Sequence, residues 1–154
     1  MSKVLEIYIS EKGNAPMKTM ETIVLEAGRG IIGDRYYNES GTFSEKLAGL
    51  PDKEITLIES EKIHGFNQAF GYEFDAGDFR RNIVTEGVQL NDLVDKEFAV
   101  GDVILRGIRL CEPCAHLADV LVPDIIPALV HQAGLRAAII ASGNVQIGDK
   151  VLVK

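Results

Sequence analysis

The fold class of this chain follows from the stretch Lys96-Glu97-Phe98-Ala99-Val100-Gly101-Asp102-Val103-Ile104-Leu105-Arg106-Gly107-Ile108-Arg109-Leu110. Two strand-like runs, Lys96 to Val100 and Val103 to Leu110, flank Gly101-Asp102, and a Gly-Asp pair between such runs is a tight-turn signal. The stretch therefore predicts an antiparallel hairpin.

Strand signals also dominate the rest of the chain. The remaining predicted strands are Val4 to Ile9, Glu21 to Glu26, Glu54 to Ile58, Asn82 to Thr85, and a terminal hairpin of Leu135 to Ala141 with Val145 to Val153. The predicted helices are Glu59 to Phe70 before Gly71, a helix opened by Pro113 and running through Leu121, and Asp124 to Ala133 before Gly134. Because the strands come mostly in hairpin pairs, we expect a mostly β, barrel-like fold of antiparallel or mixed strands with two or three short α-helices. We expect residues 1–154 to form a single domain.

Composition narrows the function classes. The 154 residues are 46% hydrophobic, which is enough for an ordinary core, and 23 acidic against 16 basic residues give a net charge of −7. Such a charge repels nucleic acid and anionic membranes, so we expect neither as a partner. No stretch approaches the roughly 20 apolar residues of a membrane span, and Glu6 falls where a signal peptide needs an apolar run, so we expect a soluble, cytoplasmic protein.

Residues Gly28-Arg29-Gly30-Ile31-Ile32-Gly33 match a dinucleotide-binding fingerprint, G-x-G-x-x-G. That motif works only where a helix N-terminus receives the pyrophosphate, and the polar loop from Asp34 to Gly41 follows instead. A plain glycine-rich turn is one interpretation. In the other, Gly33-Asp34-Arg35 presents a guanidinium, oriented by Asp34, to an anionic ligand.

Arg80-Arg81-Asn82 places two adjacent arginines before a predicted strand. A surface ion-pair network with Asp75, Asp78 and Glu86 and an anion pocket both explain the pair. Adjacent residues of a strand point to opposite faces, so we expect one arginine to enter a pocket and the other to pair at the surface.

Cys111-Glu112-Pro113-Cys114 lies where a strand meets a predicted helix, whose backbone N–H groups stabilise a thiolate. Arg106 and Arg109 favour that thiolate and Glu112 opposes it. Four interpretations remain open: buried structural cysteines, a thioredoxin-type dithiol, a zinc site, and one cysteine acting as nucleophile, sulfur carrier or metal ligand. A closed zinc site needs four ligands, and we expect its remaining candidates to lie at the surface or core edge; these are His64, His116 and His131.

Four blocks carry a resemblance, in matching order and spacing: Gly30-Ile31-Ile32-Gly33-Asp34-Arg35, Arg80-Arg81-Asn82-Ile83-Val84-Thr85-Glu86-Gly87-Val88-Gln89-Leu90, Phe98-Ala99-Val100-Gly101-Asp102-Val103, and Cys111-Glu112-Pro113-Cys114. Together they resemble the MOSC domain family, named for the C-terminal domain of molybdenum cofactor sulfurase. The likeness covers nearly the whole chain and ends with Gly143 to Asp149.

The resemblance implies a pocket for the molybdenum cofactor, a pterin dithiolene that carries a phosphate. It implies that Cys114 carries sulfur as a persulfide or ligates molybdenum, whereas the role of Cys111 stays open. Paired guanidiniums suit the phosphate, and the implied cofactor-binding residues are Gly33, Asp34, Arg35, Arg80, Arg81 and Asn82.

The chain has no counterpart of the pyridoxal-phosphate module of the sulfurases or of the extra N-terminal β domain of the reductases, so we expect a partner. That partner is a sulfur donor, an electron donor, a molybdoenzyme or a cofactor-biosynthesis protein. Sulfur or cofactor transfer is the leading interpretation. The alternatives are a molybdenum-dependent reductase of N-hydroxylated compounds and a non-enzymatic cofactor carrier.

Overall fold

The computed structural model of the chain describes residues 2–42 and 44–153, except for the side chains of residues 52, 115 and 116. Within these residues the strands are β1 Lys3–Ile9, β2 Lys18–Met20, β3 Thr22–Glu26, β4 Gly30–Ile31, β5 Ile55–Glu59, β6 Ile83–Glu86, β7 Glu97–Val100, β8 Val103–Leu110, β9 Leu135–Ala141, β10 Gly143–Gln146 and β11 Val151–Val153. The α-helices are α1 Ser60–Phe70, α2 Ala115–Val120 and α3 Ile125–Leu129. No α-helix in the described part is long and apolar enough to cross a membrane.

The strands form two sheets. The larger sheet has eight strands in the order β11-β7-β8-β9-β5-β6-β1-β2, and the smaller has three in the order β10-β3-β4. Neighbouring strands are antiparallel except for β5 and β6, which run parallel and are connected through α1. The large sheet ends in two separate edge strands and is not closed. The mostly β, mixed-strand fold with short helices is confirmed.

The β7–β8 hairpin forms as predicted. Val100 pairs with Val103 across the turn, and Gly101 adopts a positive φ of 56° that favours glycine. Phe98 and Leu105, which face each other across the pair, are fully buried. The alternation of apolar residues thus sets the register of the hairpin.

Two apolar clusters hold the layers together. One lies between the two sheets and includes Leu25, Leu57 and Phe98. The other packs the helices on the large sheet around Phe66 and Phe79. The loops that follow β4, precede β6 and follow β8 carry the residues of the site described below.

The predicted terminal hairpin is wrong. Strand β9 is hydrogen-bonded to β5 on one side and to β8 on the other, so it has no free edge for the next strand. Strand β10 instead pairs with β3, and β11 pairs with β7. The turn between β9 and β10 is held by a hydrogen bond in which the backbone N–H of Ala27 donates to the Ser142 hydroxyl at 2.8 Å.

Two helix boundaries also differ from the prediction. Helix α2 begins at Ala115 with Cys114 as its N-cap, so Pro113 precedes the helix instead of opening it. Helix α3 ends at Leu129, because Val130 is extended and His131 has a positive φ of 61°. The chain thus turns earlier than Gly134.

Candidate functional site

A small cavity is lined by most of the arginines that the sequence analysis selected. Its volume is about 40 Å³, and its lining residues are Arg35, Tyr36, Thr42, Thr56, Arg80, Arg81, Cys111, Cys114, Leu117 and Arg136. This volume holds about three water-sized groups. The cavity therefore suits a small oxyanion, and four guanidiniums border it.

Arg35 is held in place by its neighbour. The buried Asp34 carboxylate accepts hydrogen bonds from the backbone N–H of Ser10 and Tyr36, and from Nη1 of Arg35 at 3.1 Å. Arg35 Nη2 donates to the carbonyl of Arg80 at 3.2 Å. The pair of Asp34 and Arg35 is thus an oriented ion pair at the cavity wall.

Arg80 and Arg81 both line the cavity, so the expectation that only one would enter it is wrong. Arg80 ends the 3₁₀ turn Ala76–Phe79 with a positive φ of 61°, and strand β6 begins only at Ile83. Because the two arginines precede the strand, strand alternation does not apply to them.

Arg80 has an unsatisfied donor. Its Nη1 donates to the carbonyl of Ala15 at 2.8 Å, whereas its Nη2 is buried and has no hydrogen-bond partner among the described residues. Burial, and then the nearby charge of Arg35, lower the pKa of the Arg80 guanidinium. A buried donor without a partner is costly, so this atom is suited to an anionic oxygen.

Arg81 is buried, and each of its three guanidinium nitrogens donates one hydrogen bond to the backbone. Its Nε donates to Ala133 at 3.0 Å, its Nη1 to Phe79 at 3.3 Å and its Nη2 to Cys111 at 3.2 Å, in each case to the carbonyl. Within the described residues no carboxylate forms an ion pair with either arginine. The expected partners are engaged elsewhere: Asp75 and Asp78 cap the 3₁₀ turn, and Glu86 contacts Lys3.

The two cysteines differ in exposure. Cys111 follows β8 and is 1% exposed, and its N–H donates to the Gly134 carbonyl at 2.8 Å. Cys114 is half-buried and lines the cavity from the N-cap of α2. Both thiols are free.

A larger basin lies beside the cavity. It measures about 200 Å³ and is lined by Lys46, Leu47, Arg81, Arg109, Glu112, Cys114 and Arg136. Arg81, Cys114 and Arg136 border both spaces. Cys114 therefore lies between a narrow inner cavity and a wider outer basin.

Two of the histidines, His64 and His131, line neither the cavity nor the basin. His131 Nδ1 lies 2.6 Å from Glu112 Oε2, and His64 is exposed on α1. The side chain of His116 lies outside the described residues. Across the described part of the chain no group of three or more His, Cys, Asp or Glu residues could hold a metal ion.

Comparison with known proteins identifies the family. A family model described as the MOSC domain matches residues 44–152, which is more than half of the chain. The chain belongs to the MOSC domain family. The family is associated with molybdenum cofactor systems. A search of curated proteins gave no significant match.

Solved structures show the same fold as this MOSC domain. The YuaD protein from Bacillus subtilis aligns with a TM-score of 0.80 at 17% identity, covering 99% of this chain and 96% of that one. YiiM from Geobacillus stearothermophilus aligns with a TM-score of 0.75 at 16% identity, covering 100% and 75%. YiiM from Escherichia coli aligns with a TM-score of 0.70 at 17% identity, covering 99% and 69%.

Three residues of the MOSC domain that were selected from the sequence do not line the cavity, namely Gly33, Asp34 and Asn82. Asp34 is buried and acts through its ion pair with Arg35. Asn82 joins three strands: its Oδ1 accepts from the N–H and the hydroxyl of Thr56, and its Nδ2 donates to the Tyr8 carbonyl, each at 3.1 Å. Gly33 has a φ of 92° and forms the turn that precedes Asp34. These residues shape the elements that carry the arginines.

The sequence analysis did not identify Arg136 as a candidate site residue. It is the one charged residue of the strand Leu135–Ala141, and such a break in an apolar run was the available signal. Lys46 and the polar wall residues Thr42 and Thr56 carried no comparable signal, because they reach the site only through the folding of distant loops.

Proposed function

We infer that this MOSC domain binds the molybdenum cofactor, with its phosphate against Arg80 and with Cys114 as the reactive thiol of sulfur or cofactor transfer. The buried Arg80 Nη2 without a partner, in the same cavity as Cys114, carries this proposal. None of the described residues satisfies this donor.

The residues present fit the anionic end of such a group. Judged by the described residues, Arg80 offers the free donor and Arg81 adds a second charge without a carboxylate partner. Asp34 holds Arg35 at the wall. Hydrogen bonds from guanidinium to phosphate are short and strong because both partners are charged. The cavity of about 40 Å³ suits a phosphate, and we place the larger pterin ring outside it.

Cys114 supports the sulfur chemistry. A half-buried thiol at the edge of the cavity is accessible from the outer basin, and a thiolate is a soft ligand. In sulfur transfer the Cys114 thiolate attacks the outer sulfur of a donor protein's persulfide; the S–S bond of the donor breaks, a new S–S bond forms on Cys114, and the donor leaves as a thiolate. The cofactor, when bound, supplies the metal and dithiolene that use this sulfur.

The proposal requires a partner. A sulfur donor, an electron donor, a molybdoenzyme or a cofactor-biosynthesis protein completes the reaction. We place the reaction in the cytoplasm, where thiols such as Cys111 and Cys114 stay reduced.

The test is purification from a host that makes the cofactor, followed by measurement of bound molybdenum and of pterin. We expect pterin in the native protein and about tenfold less in Arg80→Gln, the effect of losing one charged hydrogen bond. Cys114→Ser should keep the pterin and lose transferable sulfur. The matched control is Arg106→Gln, which removes an arginine of β8 that lies opposite Glu97.

Each outcome discriminates between functions. Equal pterin content in the native protein and in Arg80→Gln contradicts the phosphate site. Turnover of an N-hydroxylated compound with an external electron donor identifies a reductase instead of a transferase, and bound cofactor with neither activity identifies a carrier.

A further inference from the structure

Arg136 occupies an unfavourable position for a charge. In the sheet it pairs with Thr56 of β5 on one side and with Arg109 of β8 on the other. Residues directly opposite each other in a sheet have Cβ atoms about 4.5–5.5 Å apart, and like charges at such positions are destabilising. Among the described residues none forms a hydrogen bond or ion pair with the guanidinium of Arg136. An anion bound beside Arg136 would give its guanidinium a partner.

The outer basin has the composition of an anion site. Lys46, Arg81, Arg109 and Arg136 give it four positive side chains. The one carboxylate among its described lining residues, Glu112, already contacts His131, since its two oxygens lie against the backbone N–H and Nδ1 of that residue. A cationic basin in a chain of net charge −7 attracts anions locally.

The basin and the inner cavity meet at the same residues. Arg81 and Arg136 border both spaces, so a single ligand with two neighbouring anionic groups can place one in each and contact both guanidiniums. The inner space of about 40 Å³ accepts one such group, and the outer space of about 200 Å³ accepts a second with room for an organic substituent beside Leu47.

We propose that the outer basin is a second anion subsite and that the ligand of this site is a diphosphate ester, whose two phosphates lie on either side of the Arg81–Arg136 boundary. The proposal rests on the proposed function for the inner phosphate and adds the class of ligand.

The test is calorimetric titration of the purified, ligand-free chain with inorganic phosphate and with inorganic pyrophosphate, at about 0.15 M salt so that exposed charges are screened. We expect pyrophosphate to bind about tenfold or more tightly than phosphate. Arg109→Gln and Lys46→Gln, which change only the outer basin, should remove most of this advantage and leave phosphate binding unchanged.

Controls separate the two proposals. Arg80→Gln changes the inner cavity but not the outer basin and should weaken both probes, whereas Arg106→Gln, on the same strand as Arg109, should weaken neither. If Arg80→Gln weakens phosphate but pyrophosphate has no advantage, the second subsite is refuted and the inner phosphate site stands. If Arg80→Gln weakens neither probe, the inner site fails. An advantage that Arg106→Gln reduces as much as Arg109→Gln does reflects general positive charge and overturns the diphosphate assignment.

Discussion

Arg80 and Arg81 are chemically identical neighbours with opposite tasks. Arg81 donates hydrogen bonds to the carbonyls of Phe79, Cys111 and Ala133, and so connects three loops. Arg80 makes one hydrogen bond through Nη1 and keeps Nη2 without a partner. Arg81 therefore holds the loops of the site together, whereas the buried Nη2 of Arg80 is the donor that most needs a ligand.

We expect Arg81→Gln to lower the free energy of unfolding by about 2–4 kcal/mol, because it leaves buried carbonyls without donors. Arg80→Gln should change it by less than about 1 kcal/mol, since it also removes a cation repelled by Arg35. Urea unfolding followed by circular dichroism measures both. Equal losses in the two variants would show that Arg80 is structural as well.

The cysteines should differ in reactivity. Cys111 is 1% exposed and Cys114 is half-buried, and alkylation requires that the reagent reach the sulfur. In the folded protein we expect Cys114 to react at least about tenfold faster than Cys111. Timed alkylation with fragment mass spectrometry resolves the two sites, and the same experiment in denaturant is the control, in which the difference should nearly vanish. Equal rates in the folded protein would remove the preference for Cys114.

Among the elements, β9 governs how the sheet and the site are joined. It lies between β5 and β8, it carries Arg136, and Gly134 precedes it. Gly134 has a φ of 117°, and a Cβ there would overlap with the carbonyl oxygen of Leu57. Its own carbonyl accepts the N–H of Cys111. This glycine is required for the close approach of the loop to β5.

Gly134→Ala should therefore be costly for two reasons, the strained φ and the overlap with backbone. Gly148→Ala is the matched control, because Gly148 has a φ of 92° but no atom within 4 Å of a new Cβ. We expect about 1 kcal/mol of destabilisation for Gly148→Ala and at least about 2 kcal/mol more for Gly134→Ala, measured by urea unfolding. Similar losses would mean that the backbone near Leu57 relaxes freely.

At the scale of the whole molecule, the charge at the site is opposite in sign to the net charge of the chain. The chain carries a net charge of −7, yet four arginines border one small cavity. Not all of the acidic side chains lie at the surface. Glu54 is buried, and its carboxylate accepts the N–H of Ile139 at 2.8 Å. Desolvation by burial raises the pKa of Glu54 above its ordinary value of 4.5, and burial raises that of Glu59 as well.

These raised pKa values predict how stability depends on pH. A carboxyl with a raised pKa holds its proton more tightly in the folded state, so its contribution to stability is complete below pH 4.5 and is lost as the pH rises through the folded-state pKa. Glu54→Gln, which keeps an acceptor oxygen without the charge, should be more stable than the native protein at pH 7.5, and this advantage should shrink by pH 4. Thermal unfolding at both pH values measures it.

Glu21→Gln is the control for that experiment, because it removes the same charge at an exposed position. Its effect should be small at both pH values. An advantage of Glu54→Gln that is the same at pH 4 and pH 7.5 would contradict the burial argument.

The sequence by itself determined the features that arise from neighbouring residues. The β7–β8 hairpin follows from alternating apolar residues around Gly101-Asp102, and α1 follows from its apolar spacing and from Gly71. The spacing of the arginine and cysteine motifs was enough to indicate the MOSC family, which the match to residues 44–152 confirms. These signals are local, and local geometry is what periodicity and turn residues encode.

Only the tertiary structure decided which residues meet. Strand β10 pairs with β3 because both edges of β9 are occupied, and Arg136 reaches the cavity because β9 lies between β5 and β8. The unsatisfied Nη2 of Arg80 likewise depends on a left-handed backbone and on loops distant in sequence. Burial and hydrogen-bond satisfaction are properties of the packed chain, so no local pattern in the sequence contains them.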